Sequence, residues 1–369
     1  MKYIIIFCWL IKNISYTNAS RGPNILDKKI GQMLMFGVVG TIPNDRDIKE
    51  VSQLAKEGMM GGIILTPHNI KNNRQLKLLL KTLRQTGLLI SMDQEGGFVQ
   101  RLRKKKGFIS TPSHSKMGKM NDKEAKATYS KMAKQSKNYG INVSLGPVVD
   151  LKNKHSKAIG QLRRSFSHNP RTVSHYARIY IDAHRKNGVL SCLKHFPGHG
   201  LARGDSHFGI VDITKTFKEK ELIPYKKLIE QDKVDMIMTA HLINKNWDPH
   251  FPASLSHYAV TKVLREKLGF QGVTMTDDLQ MDAIRNSFSL KEKVIHAIHA
   301  GNDILLFSSP HMLNGKKRKT IKTLSIAIKK IKQIVIDGIA KGHISKERIL
   351  ESYNRIMDLK KKFSILPKP

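Results

Sequence analysis

The chain is short of acid. Its 369 residues carry 29 Asp and Glu against 65 Lys and Arg, a formal net charge of +36. That balance favours anionic partners such as nucleic acid, acidic lipid or an acidic wall polymer. The excess is spread along the chain, which suits a lysine-rich solvated surface equally well. No arginine-glycine tract, zinc-knuckle spacing or aromatic RNA-binding signature accompanies it, so nucleic acid is not an expected partner. Cysteine is scarce too: Cys8 and Cys192 are the only two, and no disulfide framework is expected. No Gly/Ser-rich or Pro-rich linker marks off a second domain.

The apolar run at residues 3–11 is too short to span a bilayer. With Lys2 before it and a polar stretch ending near Asn18-Ala19-Ser20, it has the outline of an export signal. Lys12 and the missing A-x-A site depart from that outline. The expectation is a periplasmic or exported protein, with a cytoplasmic one as the alternative. Residues 1–23 are read as a signal peptide or apolar extension and 24–369 as one catalytic unit, without a membrane span in the mature chain and acting as a monomer.

Hydrophobic residues make up 40% of the chain, enough for a large core. Short β-rich apolar runs alternate with stretches of helical period, the pattern of repeated β-α units around a parallel sheet. The runs lie at 33–38, 62–65, 88–92, 141–146, 189–193, 234–238, 273–276 and 304–307. Between them, 47–56, 74–84, 122–139, 170–186 and 290–299 can each lay an apolar stripe on a sheet. Glycines at 61, 62, 87, 140, 188, 272 and 301 precede strands, where a helix end needs a left-handed residue. Ser345 opens a closing helix with Ile349, Tyr353 and Ile356 on one face. Eight strands in about 280 residues predict an α/β fold, a single (β/α)8 TIM-type barrel.

Active sites of such barrels sit at the carboxyl ends of the strands. There the chain places Asp93-Gln94-Glu95-Gly96-Gly97, Pro147 to Asp150, Lys194-His195-Phe196-Pro197-Gly198-His199-Gly200 with Asp205-Ser206-His207, Thr239-Ala240-His241, and Asp277-Asp278-Leu279-Gln280-Met281. Glycoside cleavage needs a carboxylate facing the anomeric carbon and a donor for the leaving oxygen. Asp277, directly after a strand, suits the first role, and Asp278 suits a helix N-cap or support. His207 suits the second, with Asp205 two residues earlier to orient and charge it; spacing alone serves an idle loop histidine as well. Gly198, Gly200 and Gly204 would let that loop move. Lys194, Arg101 and Arg164 can reach sugar hydroxyls while Asp93 accepts from them, or can form a network that only stiffens the barrel mouth.

These segments resemble glycoside hydrolase family 3 β-N-acetylglucosaminidases of the NagZ type, from about Ile30 to the final helix. The stretch from Lys194 to Gly200 with Asp205-Ser206-His207 resembles the KHFPGHG…DSH signature of that subgroup. Residues 277–281 resemble its nucleophile segment, 93–101 its DQEGG segment, and 238–242 with 252–256 its TAH…PASLS stretch. The resemblance implies a retaining β-N-acetylhexosaminidase that removes terminal GlcNAc from peptidoglycan fragments, with Asp277 as nucleophile and His207, assisted by Asp205, as acid/base. It also implies a ring held by Asp93, Arg101, Arg164, Lys194 and His195, Met281 near the N-acetyl group, and neither metal nor other cofactor. Phe98 stands where the family has a basic residue. Two extra residues precede Arg-Ser-Phe, which makes Arg164 rather than Arg163 the match. Two rivals remain: a metal-dependent barrel hydrolase using His195, His199, Asp205, His207 and His241, and a barrel that binds glycans without cleaving them.

Overall fold

The computed structural model describes residues 24–205, 209–309 and 324–367. The export reading of 1–23 and the proposed acid/base His207 therefore fall outside the described residues. Eight parallel strands form one sheet: β1 (Leu34–Gly37), β2 (Gly62–Leu65), β3 (Leu89–Met92), β4 (Val143–Ser144), β5 (Leu190–Phe196), β6 (Met236–Thr239), β7 (Val273–Thr276) and β8 (Leu305–Phe307). Each pairs with its neighbours in sequence, and β1 pairs with β8 in the register Leu34 to Leu305. A Met275–Ile304 bridge between β7 and β8 completes the ring, so the expected (β/α)8 barrel is the fold.

Helix α1 (Ile25–Gln32) precedes the barrel. Helices α2 (Arg46–Lys56), α3 (Asn73–Leu83), α4 (Asp122–Tyr139), α5 (Pro170–Lys186) and α6 (Ile223–Glu230) follow β1 to β5. A wider π-type segment, Tyr258–Lys267, follows β6. Helices α7 (Leu290–Ala300) and α8 (Leu324–Ala340) follow β7 and β8, and α9 (Lys346–Lys362) closes the chain. Caps are written in the sequence: Asn121 accepts from Glu124 N, Ser289 and Glu292 form a capping box, and Ser345 accepts from Arg348 N. Among the described residues no helix is long and apolar enough to cross a membrane.

The glycine expectation holds in part. Gly87, Gly140, Gly188 and Gly301 have left-handed φ of 76°, 89°, 66° and 113°. Gly61, Gly62 and Gly272 do not, and the left-handed residues of those turns are Gly58 and Gly269. Gly61 serves close approach instead, since a Cβ there would stand 1.9 Å from Gln32 O.

At the amino end of the barrel, Asp303 is fully buried. Its Oδ1 takes Arg348 at 2.6 Å and Arg355 at 3.3 Å, both on α9, and its Oδ2 takes Arg265 of the π-type segment at 2.7 Å. Burial works against this carboxylate, but the three guanidinium groups hold it below the ordinary range. The last helix is thereby fastened to the root of the last strand.

Candidate active site

At the opposite end, β3 runs into a two-stranded hairpin, Gln94–Gly96 against Val99–Gln100, whose tip exposes Phe98. Gln94 Oε1 accepts from Arg101 N at 2.9 Å and Leu102 N at 3.1 Å. The return strand thus delivers Arg101 to the residue from which the hairpin departs, and Arg101 NH2 meets Asp93 Oδ2 at 2.5 Å.

Behind that pair lies a buried ionic network. Lys194, from β5, donates to Asp93 Oδ1 at 2.7 Å and lies 2.8 Å from Glu95 Oε1. Arg164, from the β4–α5 loop, holds both oxygens of Glu95 and donates to Ala158 O at 3.0 Å. His195 Nδ1 lies 2.7 Å from Asp150 Oδ2, and its Nε2 is 3.2 Å from Arg164 NH2. Burial opposes ionisation of Asp93 and Glu95, yet the adjacent cations outweigh it and keep both carboxyls well below their usual range. Burial likewise opposes the Lys194 charge, and those two carboxylates overcome it. Solvent meets only the outer edge: Asp93 and Arg101 side chains are 18% and 22% exposed, Lys194 and Glu95 2% and 1%.

This arrangement corrects one expected partnership. Arg164 does not share Asp93 with Lys194 and Arg101; it belongs to Glu95, for which the sequence alone suggests no role. The two-residue spacing of Asp93 and Glu95 is the signal that could have found it, because residues i and i+2 of an extended chain share a face. Asp150, whose partner the sequence does not reveal, organises His195 and the following turn, accepting from His199 N at 2.8 Å.

The turn 198–201 is packed rather than loose. A Cβ on Gly200 would stand 2.1 Å from Leu151 O, and one on Gly198 would stand 2.7 Å from the Glu221 Cβ. Glu221 Oε1 accepts from Leu201 N at 3.1 Å. The first two glycines of this loop therefore serve contact, not the freedom expected of them. Asp205 is half-buried beyond them.

Asp277 follows β7 with its backbone N–H bonded to Thr239 O at 2.9 Å, and its carboxylate is half-buried. Asp277 Oδ1 accepts from Asp278 N at 2.8 Å. Asp278 caps no helix: its Oδ1 accepts from Gln280 N and Ser308 N, both at 3.1 Å, which ties the β7 end to the β8 end. Burial raises this carboxyl above its ordinary value. Met281 is half-buried at the N-cap of the short helix Asp282–Arg285. Below the rim, burial raises the Cys192 thiol far above its usual value, opposed by Lys194 and reinforced by Asp277 and Asp93.

Among the described residues, no group of three His, Cys, Asp or Glu could hold a metal ion. His241 is committed at both nitrogens, to Ser254 Oγ at 2.6 Å and Asp278 O at 2.8 Å. His195 is committed at Nδ1 to Asp150.

A family model described as the glycosyl hydrolase family 3 N terminal domain matches residues 25–359. Beta-hexosaminidase A of Pseudoalteromonas piscicida is 32% identical over 338 residues, 85% of this chain and 55% of that protein. The chain thus spans about half the length of that relative. Beta-hexosaminidase of Tolumonas auensis is 36% identical over 267 residues, 70% of this chain and 78% of its own. A glycoside hydrolase family 3 beta-N-acetylglucosaminidase from Paenibacillus sp. superposes with a TM-score of 0.79 at 29% identity, covering 92% of this chain and 63% of that one.

Proposed function

The chain belongs to glycosyl hydrolase family 3, and on that premise we propose that it is a retaining β-N-acetylhexosaminidase that removes non-reducing terminal GlcNAc from muropeptide-type sugars. The observation that carries this reading is Asp277. Its backbone is fixed at the carboxyl end of β7, the residue is partly exposed, and it stands on the same rim as the exposed edge of the Asp93–Arg101–Lys194 network.

In the proposed sequence, Asp93, Arg101 and Lys194 grip adjacent ring hydroxyls, since a carboxylate already shared by two cations offers acceptors and donors side by side. Arg164 and His195 brace them from behind, and Met281 lies against the N-acetyl group. An Asp277 oxygen attacks C1 as the C1–O bond breaks, and His207, charged with the help of Asp205, gives its proton to the departing oxygen. Water then attacks C1 of the glycosyl ester, His207 takes the proton, and Asp277 leaves as carboxylate. The β configuration is retained.

Trapping with a 2-acetamido-5-fluoro sugar followed by peptide mapping tests the mechanism: label on Asp277 is expected, and label on any other residue overturns it. The beta-hexosaminidase names of the relatives support the GlcNAc specificity. Hydrolysis of a GlcNAc-MurNAc peptide, followed by product analysis, tests the aglycone. The exported location remains part of the proposal, and N-terminal sequencing of the native protein tests it.

A further inference from the structure

Two of the segments that carry the family resemblance, Thr239-Ala240-His241 and Pro252-Ala253-Ser254-Leu255-Ser256, take no part in the proposed displacement. They converge on the segment that holds Asp277. Thr239 O accepts from Asp277 N at 2.9 Å, and His241, two residues on, reaches Asp278 O with its Nε2 at 2.8 Å. The chain is thus gripped just before and just after the Asp277 side chain by the end of β6.

His241 is itself locked from its other nitrogen. Nδ1 lies 2.6 Å from Ser254 Oγ, Ser254 N donates to Ala240 O at 3.0 Å, and Asn302 Nδ2 donates to Ser254 O at 2.9 Å. Asn302 Oδ1 also accepts from Thr239 Oγ1 at 2.9 Å, so the two segments share one buried strut. His241 is 1% exposed and Ser254 wholly buried, which leaves neither a surface for a sugar. Because a carbonyl oxygen only accepts, Nε2 must carry the proton, and in the neutral ring Nδ1 then accepts from the Ser254 hydroxyl. Burial favours that neutral form, lowering the imidazole below its ordinary value with Lys293 adding to it, although Asp277 and Asp278 pull the other way.

What the ring holds is the support of the nucleophile. Asp278 N donates to Asp277 Oδ1 at 2.8 Å, and Asp278 is tied down by its carbonyl to His241 and by its own Oδ1 to Gln280 N and Ser308 N. We propose that His241, buttressed by Ser254, is a positioning residue that fixes Asp278 so that the Asp278 N–H aims the Asp277 carboxylate at C1. This rests on the reading of Asp277 as the nucleophile. Displacement at carbon tolerates little error in the approach of the attacking atom, and a misplacement of about 1 Å costs on the order of 10²-fold in rate.

His241→Gln and His241→Asn divide the two contacts of the ring. The glutamine amide extends about as far as Nε2 and can still donate to Asp278 O, whereas asparagine ends near Nδ1 and reaches only Ser254. On 4-nitrophenyl N-acetyl-β-glucosaminide, His241→Asn should lose ~10²-fold in kcat with KM within ~3-fold of the parent, while His241→Gln should keep kcat within ~5-fold. A loss of equal size in the two variants, or one carried by KM, overturns the proposal. Ser254→Ala keeps the ring and removes its buttress, and it answers the same question should His241→Asn fail to fold. Its kcat should fall ~10-fold at an unchanged KM, and a parent-like kcat overturns the proposal. A readout free of turnover is the nitrogen NMR spectrum of the resting protein at neutral pH, in which His241 should be the neutral Nε2–H tautomer; the Nδ1–H tautomer overturns the proposal. The nucleophile assignment fails separately, if Asp277→Ala keeps its activity.

Discussion

Arg164 grips Glu95 in parallel, Nε to Oε2 at 2.8 Å and NH2 to Oε1 at 2.7 Å, and both side chains are almost wholly buried. The pair ties the β4–α5 loop to the hairpin after β3. Removing one member leaves the other charged in a medium that cannot solvate it, the situation in which a buried ion pair matters most. Glu95→Gln should therefore lose about 3–5 kcal/mol of stability. Urea unfolding measures this, and a loss under about 1 kcal/mol would mean that the loop relaxes and lets water in to the guanidinium.

Asp277 makes the opposite prediction. The residue is partly exposed, so Asp277→Ala should fold with a midpoint close to the parent. Turnover of an aryl GlcNAc glycoside should drop by at least ~10³-fold, because the group proposed to form the covalent bond is gone. A parent-like rate in the folded variant would end the nucleophile assignment.

Glu221 predicts a particular response to pH. Burial, reinforced by Asp150, lifts its carboxyl to about 8 in the folded protein against an ordinary 4.5, despite backbone N–H bonds that favour ionisation. A raised folded value means stability that is fully present below pH 4.5 and is lost as pH rises through about 8. Glu221→Gln keeps an acceptor for Leu201 N and cannot ionise. The stability difference between parent and variant should drift in favour of the variant from pH 5 to pH 9, and a constant difference over that range would rule out a neutral Glu221.

Lys360 predicts the reverse drift. Burial lowers its ammonium to about 7, and Nζ donates to Gln32 Oε1 at 2.6 Å and Gly61 O at 3.0 Å, with no anion beside it among the described residues. A depressed folded value means a contribution present above the ordinary 10.5 and lost as pH falls through about 7. Lys360→Met should therefore gain on the parent as pH is lowered from 10 to 7. Chemical unfolding at several pH values across that window reads the trend, and parallel curves would refute it.

The sequence disclosed the barrel because the relevant signals are local. A run such as 62–65 is a strand by its β-branched residues and neighbouring glycines, and 122–139 is a helix by its cap, its period and Gly140. Strand ends can be counted once strands are counted, and that count puts Asp277 and Asp93 at the rim. Partnerships were not legible in this way. Which carboxylate Arg164 takes depends on a hairpin that turns Glu95 inward and a loop that arrives 69 residues later. Gly198 and Gly200 look like hinges when read alone, and only the approach of Glu221 and Leu151 makes them contact points.

The seam between β1 and β8 carries a consequence for biosynthesis. Leu34 waits for Leu305, and Asp303 beside it waits for Arg348 and Arg355. Throughout translation, then, the nascent barrel keeps two bare edges with unpaired backbone groups, a hazard for a chain that cannot yet shut. Ribosome-stalled chains ending before residue 345 should remain sensitive to protease, and release of the last helix from the exit tunnel should be the event that confers resistance.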